Sequence, residues 1–163
     1  MDETGLFFRL LPRYFRAMQE DDGGSAGEAK DRVTLIACSN STGSHKIPCA
    51  MVGRAVEPAC IQHRQWPIPY LAQRRAWVDQ EVCSKWYEEV FMPAVRQRTN
   101  HSVLLLIFNS QGRFSKPVER DRVRVLVFPP SGIGQREYFH QGVISALKKK
   151  YKYLYLKEVL SFH

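Results

Sequence analysis

The stretch VLLLIFNSQGRF, Val103 to Phe114, joins an uninterrupted apolar run to a Phe-Asn-Ser-Gln-Gly turn. Val103 to Phe108 is too continuously apolar for a half-exposed strand, so we expect a strand that is buried on both faces. In enzymes, strands of this kind often carry a functional carboxylate at the carboxyl end, where the chain leaves the sheet. Here that position holds Phe108, followed by Asn109. Two interpretations are open at this point: a functional site that has lost its acidic residue, or a strand and turn without a functional role. The rest of the sequence is needed to distinguish them.

Strand-forming residues dominate the first third of the chain. Thr4 to Leu11 is apolar and rich in residues that favour strands, and Pro12 ends it. Val33 to Thr42 and Lys46 to Ala55 flank a Gly-Ser turn, which predicts a β-hairpin. Because proline cannot donate a backbone hydrogen bond, Pro48 indicates an edge position or a bulge.

A helix is predicted between Asp79 and Val95, where apolar residues recur every three to four positions. Asp79 is its expected N-cap, since a side-chain oxygen there can accept a free backbone N–H group. Trp86 and Tyr87 follow this period, which favours a place in the core over a role in ligand binding. A further strand is predicted at Val123 to Phe128 and ends at two prolines.

The last helix, predicted over 141–162, combines an apolar stripe with a run of lysines. The stripe consists of Val143, Ile144, Leu147, Tyr151 and Leu154. The resulting order of strand, strand, strand, helix, strand, strand, helix predicts an α/β fold in which a mixed sheet is flanked by helices. Ribonuclease H-like domains have the same order of elements.

Composition excludes several classes of protein. No apolar run approaches the roughly 20 residues that span a bilayer, and no signal peptide is recognisable, so we expect an intracellular chain. The four cysteines form no CxxC pair, which argues against a zinc ribbon and predicts buried, reduced thiols: Cys38, Cys49, Cys60 and Cys83. The net charge of +8 favours a polyanionic partner, with a merely solvated basic surface as the alternative.

Six segments, in order, resemble the DDE-type endonuclease domain of Tigger and Jerky transposase-derived proteins, relatives of pogo transposase and centromere protein B. They are DETGLFFRLLP (2–12), RVTLIACSNSTGSHKIPCAMVGRA (32–55), AWVDQEVCSKWYEEVFMPAV (76–95), VLLLIFNS (103–110), LVFPPS (126–131) and QGVISALKKKY (141–151). The resemblance implies a single ribonuclease H-like domain over residues 1–163. Relatives carry helix-turn-helix domains ahead of it. Because Met1 directly precedes the first acidic position, we expect those domains and part of the first strand to be missing here.

The resemblance also implies a site for two metal ions. Members of this family cut and rejoin DNA with Mg²⁺ or Mn²⁺ held by three acidic side chains. On this chain the first acid is retained as Asp2, the second position holds Phe108, and the third holds His140. A phenyl ring cannot bind a metal, and histidine is a poorer magnesium ligand than a carboxylate. We therefore expect a catalytically inactive domain without a cofactor, with a residual metal-dependent endonuclease that uses Asp2 and His140 as the alternative.

A basic run in the last helix, KKKYKY, places cations near two tyrosines, which suits contact with nucleic-acid phosphates. The predicted contact residues are Lys148, Lys149, Lys150, Lys152, Arg74 and Arg75. We expect binding to DNA or another nucleic acid with weak sequence selectivity, in the nucleus and without a membrane. Two alternatives remain: the lysines solvate the outer face of a helix, or the domain is a protein-interaction module with no role on DNA.

Overall fold

Two β-sheets form the frame of the protein in the computed structural model, which describes residues 1–9, 31–62, 65–107, 119–127 and 140–161. The first sheet has the strand order β1-β2-β3-β4, with β1 at Asp2–Phe7, β2 at Arg32–Ser39, β3 at Lys46–Gly53 and β4 at Tyr70–Ala72. Strands β1, β2 and β3 are antiparallel neighbours, and β4 runs parallel to β3.

The second sheet has the strand order β5-β7-β6. Its strands are β5 at Val103–Ile107, β6 at Glu119–Arg120 and β7 at Val123–Val127. Strand β5 is parallel to β7, and β6 is antiparallel to β7. Both sheets therefore mix parallel and antiparallel pairs.

Helices follow β4 and close the described part of the chain. The first helical segment comprises α1 at Gln80–Trp86, a π-helical turn at Tyr87–Phe91, and α2 at Met92–Arg98. The second comprises a π-helical turn at His140–Ile144 and α3 at Ser145–Ser161. The predicted α/β class with a mixed sheet and helices is confirmed, and the arrangement is consistent with a ribonuclease H-like fold.

Helix α1 begins where the sequence predicts. The side chain of Asp79 accepts a hydrogen bond from the backbone N–H of Val82 at 2.9 Å, which satisfies one of the free donors at the helix start. The wider π-helical turn directly precedes α2, which has Pro93 in its first turn. A proline ring crowds the carbonyl group of the preceding turn, and a wider turn at this point leaves room for the ring.

One apolar core joins both sheets to the first helical segment. Trp86 and Tyr87 are buried in it, which confirms their predicted place. The least exposed of the large apolar side chains come from both sheets and from α1 and α2: Ile36, Val52, Trp86, Met92, Ile107 and Val123. Burial of such side chains contributes about 1.5–3 kcal/mol each, so this core supplies most of the driving force for folding.

The predicted hairpin forms from β2 and β3, and it contains a bulge at Pro48. Ile36 pairs with Ala50 and Cys38 pairs with Ile47, so β3 uses one more residue than β2 over this stretch. Pro48 lies inside the longer stretch and is exposed. The bulge expected at this proline is confirmed, and the extra residue means that the ladder does not need the N–H group that proline lacks.

The expectation that β5 is buried on both faces is wrong. Leu105 and Ile107 are buried, but Leu104 is 55% exposed and Leu106 is half-buried. The alternation arises because only one face of β5 packs on the core, while Leu104 and Leu106 border an open cavity. Phe128, the predicted end of β7, and Leu11, the predicted end of β1, lie outside the described residues.

Two further burial predictions need correction. Cys60 is exposed, since it lies in the irregular segment after β3 and not in a strand or helix, whereas Cys38 and Cys83 are buried and Cys49 is half-buried. In the last helix, Ile144 is buried, but Val143 and Leu154 are each 49% exposed. Tyr155, and not Leu154, lies beside Tyr151 on the half-buried face of α3, because residues four positions apart share one face of a helix.

Candidate metal centre and nucleic-acid interface

Asp2, the retained acidic position, is deeply buried at the start of β1, with 2% of its surface exposed. The strand alternation places it on the same face as Thr4 and Leu6, which are also buried. Its Oδ1 atom accepts a hydrogen bond from the backbone N–H of Glu3 at 2.8 Å.

A cavity of about 950 Å³ lies between the two sheets. Its lining includes Met1, Leu106 and Val143. Met1 directly precedes Asp2, Leu106 lies two residues before Phe108, and Val143 lies three residues after His140. The α-amino group of Met1 donates a hydrogen bond to the carbonyl oxygen of Leu106 at 2.7 Å, so the residue directly before β1 contacts β5.

The degenerate metal positions lie largely outside the described structure. Phe108 falls in an undescribed range, and of His140 only the backbone is described, as the first residue of a π-helical turn. Within the described ranges, no group of three or more His, Cys, Asp or Glu side chains is arranged to hold a metal ion. Convergence of Asp2, Phe108 and His140 therefore stays a prediction, as does the absence of a bound cofactor.

The lysines of α3 differ in their surroundings. Lys149, Lys150 and Lys152 are exposed, whereas Lys148 is half-buried. Burial, and secondarily the nearby charge of Lys152, lowers the pKa of Lys148 below its ordinary value. The ammonium group of Lys150 lies 5.6 Å from the centre of the Tyr153 ring, so a cation and an aromatic face are presented together.

A hydrogen bond anchors α3 to the end of β1. The Tyr151 hydroxyl donates to the carbonyl oxygen of Phe8 at 2.8 Å, and the Tyr151 ring stacks on Tyr155 at a centroid distance of 6.1 Å. Burial, with a smaller contribution from Tyr155, raises the pKa of Tyr151 above its ordinary value. The hydroxyl therefore keeps its proton and remains a donor, and this contact fixes the lysine-bearing helix to the first sheet.

Arg74 and Arg75, the other predicted contact residues, lie far from the lysines in sequence and belong to a different cluster. They line a cleft with Phe7, Arg32, Arg54 and Trp77. The sequence interpretation missed Arg32, Arg54 and Trp77. Arg54 and Arg74 each follow a strand, and these two strands are parallel neighbours that end at the same edge of the sheet. The sequence gives no signal for this pairing, because it predicts no strand at Tyr70–Ala72.

Comparison with known proteins places the chain in a family. Residues 30–162 match the sequence profile described as DDE superfamily endonuclease. The chain belongs to this family. It is 34% identical over 161 residues to the Jerky protein of Mus musculus, a match that covers 91% of the chain. It is 40% identical over 102 residues to the Jerky protein homolog of Homo sapiens, a match that covers 59% of the chain. It is 29% identical over 161 residues to Tigger transposable element-derived protein 4 of Mus musculus, with 98% of the chain covered.

This DDE superfamily chain spans only part of each relative: 17% of the human Jerky protein homolog, 28% of mouse Jerky protein and 31% of the mouse Tigger protein. The predicted Tigger and Jerky kinship is confirmed. No solved structure matches the chain significantly. Among the described residues, no helix has both the length and the apolar character that crossing a membrane requires.

Proposed function

We propose that the protein is a transposase-derived DDE-type domain that has lost catalysis and binds DNA or another nucleic acid through α3. The observation that carries the binding proposal is the set of exposed cations on this helix, Lys149, Lys150 and Lys152, on a chain with a net charge of +8. Such charges attract a phosphate backbone without requiring a particular base sequence. Kinship with transposable element-derived proteins supports nucleic acid as the polyanion and the nucleus as its location.

Loss of catalysis follows from the ligand chemistry of the three family positions. In-line phosphoryl transfer with two metal ions requires anionic oxygens that hold both cations. This chain supplies one carboxylate, Asp2, and places Phe108 and His140 at the other two positions. Mg²⁺ or Mn²⁺ would meet one buried carboxylate, so we propose that neither ion is bound tightly enough for cleavage.

Binding is tested by fluorescence anisotropy with a labelled duplex of about 20 base pairs over a range of salt concentrations. The Lys149→Ala/Lys150→Ala variant is compared with wild type and with Lys46→Ala, which removes an exposed lysine at the start of β3. We expect the double variant to bind more weakly and with a smaller salt dependence, while Lys46→Ala stays close to wild type. Equal affinity of all three proteins would contradict a role for α3.

A protein-interaction module is the second candidate, and exposed apolar side chains on α3 favour it. Tyr153 and Leu160 are each 61% exposed, and Leu154 is also exposed. An apolar partner would bind through these residues with little dependence on salt. Loss of partner binding in Leu154→Ser/Leu160→Ser, together with no detectable duplex binding by wild type at low salt, would favour this candidate over the first.

A further inference from the structure

An arginine–tryptophan cluster lies at one end of the first sheet. It consists of Arg32, Arg54, Arg74, Arg75 and Trp77, which line a cleft of about 340 Å³ together with Phe7. Phe7 ends β1 and pairs with Arg32, the first residue of β2, while Arg54 follows β3 and Arg74 follows β4. The five side chains of the cluster therefore lie close together because the end of β1, the start of β2 and the ends of β3 and β4 are at the same edge of the sheet.

This cluster is distinct from the remnant metal position. Asp2 begins β1 and Phe7 ends it, so five residue steps separate them, or about 17 Å along an extended strand. A ligand at the arginine–tryptophan cluster is therefore not a ligand of the ancestral metal site.

The loop that carries Arg75 and Trp77 is held by specific hydrogen bonds. The Gln73 side-chain oxygen accepts from the backbone N–H of Arg75 at 2.6 Å and from that of Trp77 at 3.3 Å. The Thr34 hydroxyl donates to the carbonyl oxygen of Ala76 at 2.6 Å. Ala76 is fully buried with φ at 51°, a left-handed conformation that costs a residue other than glycine about 1 kcal/mol or more. The loop is thus fixed in advance, with Arg74, Arg75 and Trp77 directed away from the core.

Arg32 links the loop to the sheet. Its guanidinium group donates to the carbonyl oxygen of Arg75 at 3.2 Å and lies 5.1 Å from the centre of the Trp77 ring. The side chain crosses Gly5, where an added Cβ would lie 2.9 Å from the Arg32 Cδ atom. Glycine at this position therefore leaves the space that lets Arg32 reach Trp77.

The cluster has charge and aromatic surface available for a ligand. Within the described ranges, none of its four arginines forms an ion pair with a carboxylate; the nearby Asp31 pairs with Arg9 at 3.2 Å, and Glu3 borders the adjoining cleft. Trp77 is 56% exposed and Phe7 44% exposed, although Arg32 already lies over the Trp77 ring. Guanidinium groups beside an exposed aromatic ring match a ligand that has both phosphate and a flat ring.

We propose that the arginine–tryptophan cluster binds an unpaired nucleotide of a nucleic-acid strand. The base stacks on Trp77, and the flanking phosphates contact Arg54, Arg74 and Arg75. This inference rests on the proposed nucleic-acid binding and adds a preference for single-stranded segments. A duplex keeps its bases stacked on one another, so only a strand with a free base can use the Trp77 ring.

The test compares a labelled oligothymidine of about 12 nucleotides with a duplex of equal length, using wild type, Trp77→Ala, Trp77→Phe and Arg74→Ala/Arg75→Ala. The charge-matched control is Arg98→Ala/Arg124→Ala, which removes two exposed arginines outside the cluster. We expect Trp77→Ala to weaken single-strand binding about tenfold, Trp77→Phe to retain most of it, and both to leave duplex binding unchanged. The Arg74/Arg75 variant should lose more single-strand affinity than the control. Melting curves verify that each variant folds.

Different failures have different meanings. If Trp77→Ala binds oligothymidine as tightly as wild type, the cluster proposal is overturned. In that case the proposed function still stands, provided that duplex binding depends on Lys149 and Lys150. If the duplex does not bind but oligothymidine binds in a Trp77-dependent way, the cluster stands and the role of α3 falls. If heparin or a phosphorylated peptide of the same charge displaced the labelled oligothymidine as well as unlabelled oligothymidine does, the proposal that the cluster is a nucleotide site would be overturned.

Discussion

The α-amino group of Met1 donates a 2.7 Å hydrogen bond to the carbonyl oxygen of Leu106 in β5. Met1 directly precedes Asp2, the retained acid, and β5 directly precedes Phe108. Family resemblance assigns metal-ligand positions to Asp2 and Phe108, and the contact between Met1 and Leu106 supports restoration of the site as a direct test of lost catalysis.

If the wild-type chain binds Mn²⁺ too weakly for cleavage, as proposed, replacing Phe108 and His140 together by aspartate should create a Mn²⁺ site. At metal concentrations about 100 times the Kd, binding would stabilise the fold by about 2.7 kcal/mol, or roughly 5–10 °C in Tm for a domain of this size. Melting curves with and without Mn²⁺ measure this shift. Adding Asp2→Asn to the restored variant should abolish the Mn²⁺-induced shift in Tm. The loss of catalysis would be contradicted if wild type showed a comparable shift and nicked plasmid DNA in an Asp2-dependent way.

The lysines of α3 should contribute unequally to binding. Because Lys148 is half-buried with a lowered pKa, Lys148→Ala should reduce duplex affinity less than Lys149→Ala or Lys150→Ala. Each exposed lysine that contacts a phosphate should reduce the salt slope of log K by about 0.9 when it is removed. Anisotropy titrations between about 50 and 200 mM salt give this slope. A larger loss for Lys148 than for its neighbours would show that the exposed face is not the contact surface.

Tyr151→Phe should destabilise the protein by about 0.5–1 kcal/mol, because it removes the hydrogen bond to the Phe8 carbonyl group. The raised pKa of Tyr151 means that the folded state holds this proton more tightly than the unfolded chain. Its contribution should therefore be fully present below pH 10 and decline as the pH rises through the folded-state pKa. Urea unfolding of both proteins at several pH values measures the difference, with Tyr153→Phe, an exposed tyrosine of the same helix, as control. A difference that grows above pH 10 would have the wrong sign.

Asp79→Ala should cost about 1 kcal/mol, since it removes the acceptor for the Val82 N–H group at the start of α1. The same carboxylate accepts from the Gln73 amide at 3.0 Å, so the variant should also loosen the loop that carries Trp77. Asp79→Asn, which keeps a capping oxygen, should lose less stability. Thermal unfolding measures the loss of stability, and acrylamide quenching of tryptophan fluorescence measures the loosening of the loop. Equal stability of the alanine and asparagine variants would argue against a capping role.

Cysteine reactivity should follow exposure. Cys60 is exposed and should be alkylated first, whereas Cys38 and Cys83 should react only on unfolding. Burial raises the pKa of Cys38, although the N-terminal ammonium group acts in the opposite direction, and burial also raises the pKa of Cys49. Because the thiolate is the reactive form, Cys49 should react more slowly than Cys60. Mass spectrometry of peptides after timed iodoacetamide treatment gives the order, and early modification of Cys83 would indicate that the core opens.

Features that depend on neighbouring residues could be predicted from the sequence. The N-cap at Asp79, the burial of Trp86 and the bulge at Pro48 each follow from local hydrogen-bonding or periodicity rules. The α/β class followed from the order of such elements. The family resemblance added the acidic positions, which no local rule would have identified.

Features that depend on distant contacts could not be predicted in the same way. The burial of β5 was overestimated, because an apolar sequence does not tell whether a second layer covers both faces of a strand. The arginine–tryptophan cluster was missed for a related reason: Arg32 and Arg75 meet across 43 residues, and only the strand register brings them together. Both cases require the three-dimensional arrangement of the sheet, which residue patterns alone do not supply.

The bond between Tyr151 and Phe8 joins residues 143 positions apart. On the ribosome, the first strand therefore emerges long before the helix that completes its packing. Contacts this distant in sequence form late, because closing so long a loop is entropically unfavourable until the intervening core has collapsed. We expect docking of the last helix to be the final event in folding, so a nascent chain paused before residue 151 would expose the end of β1 to chaperones.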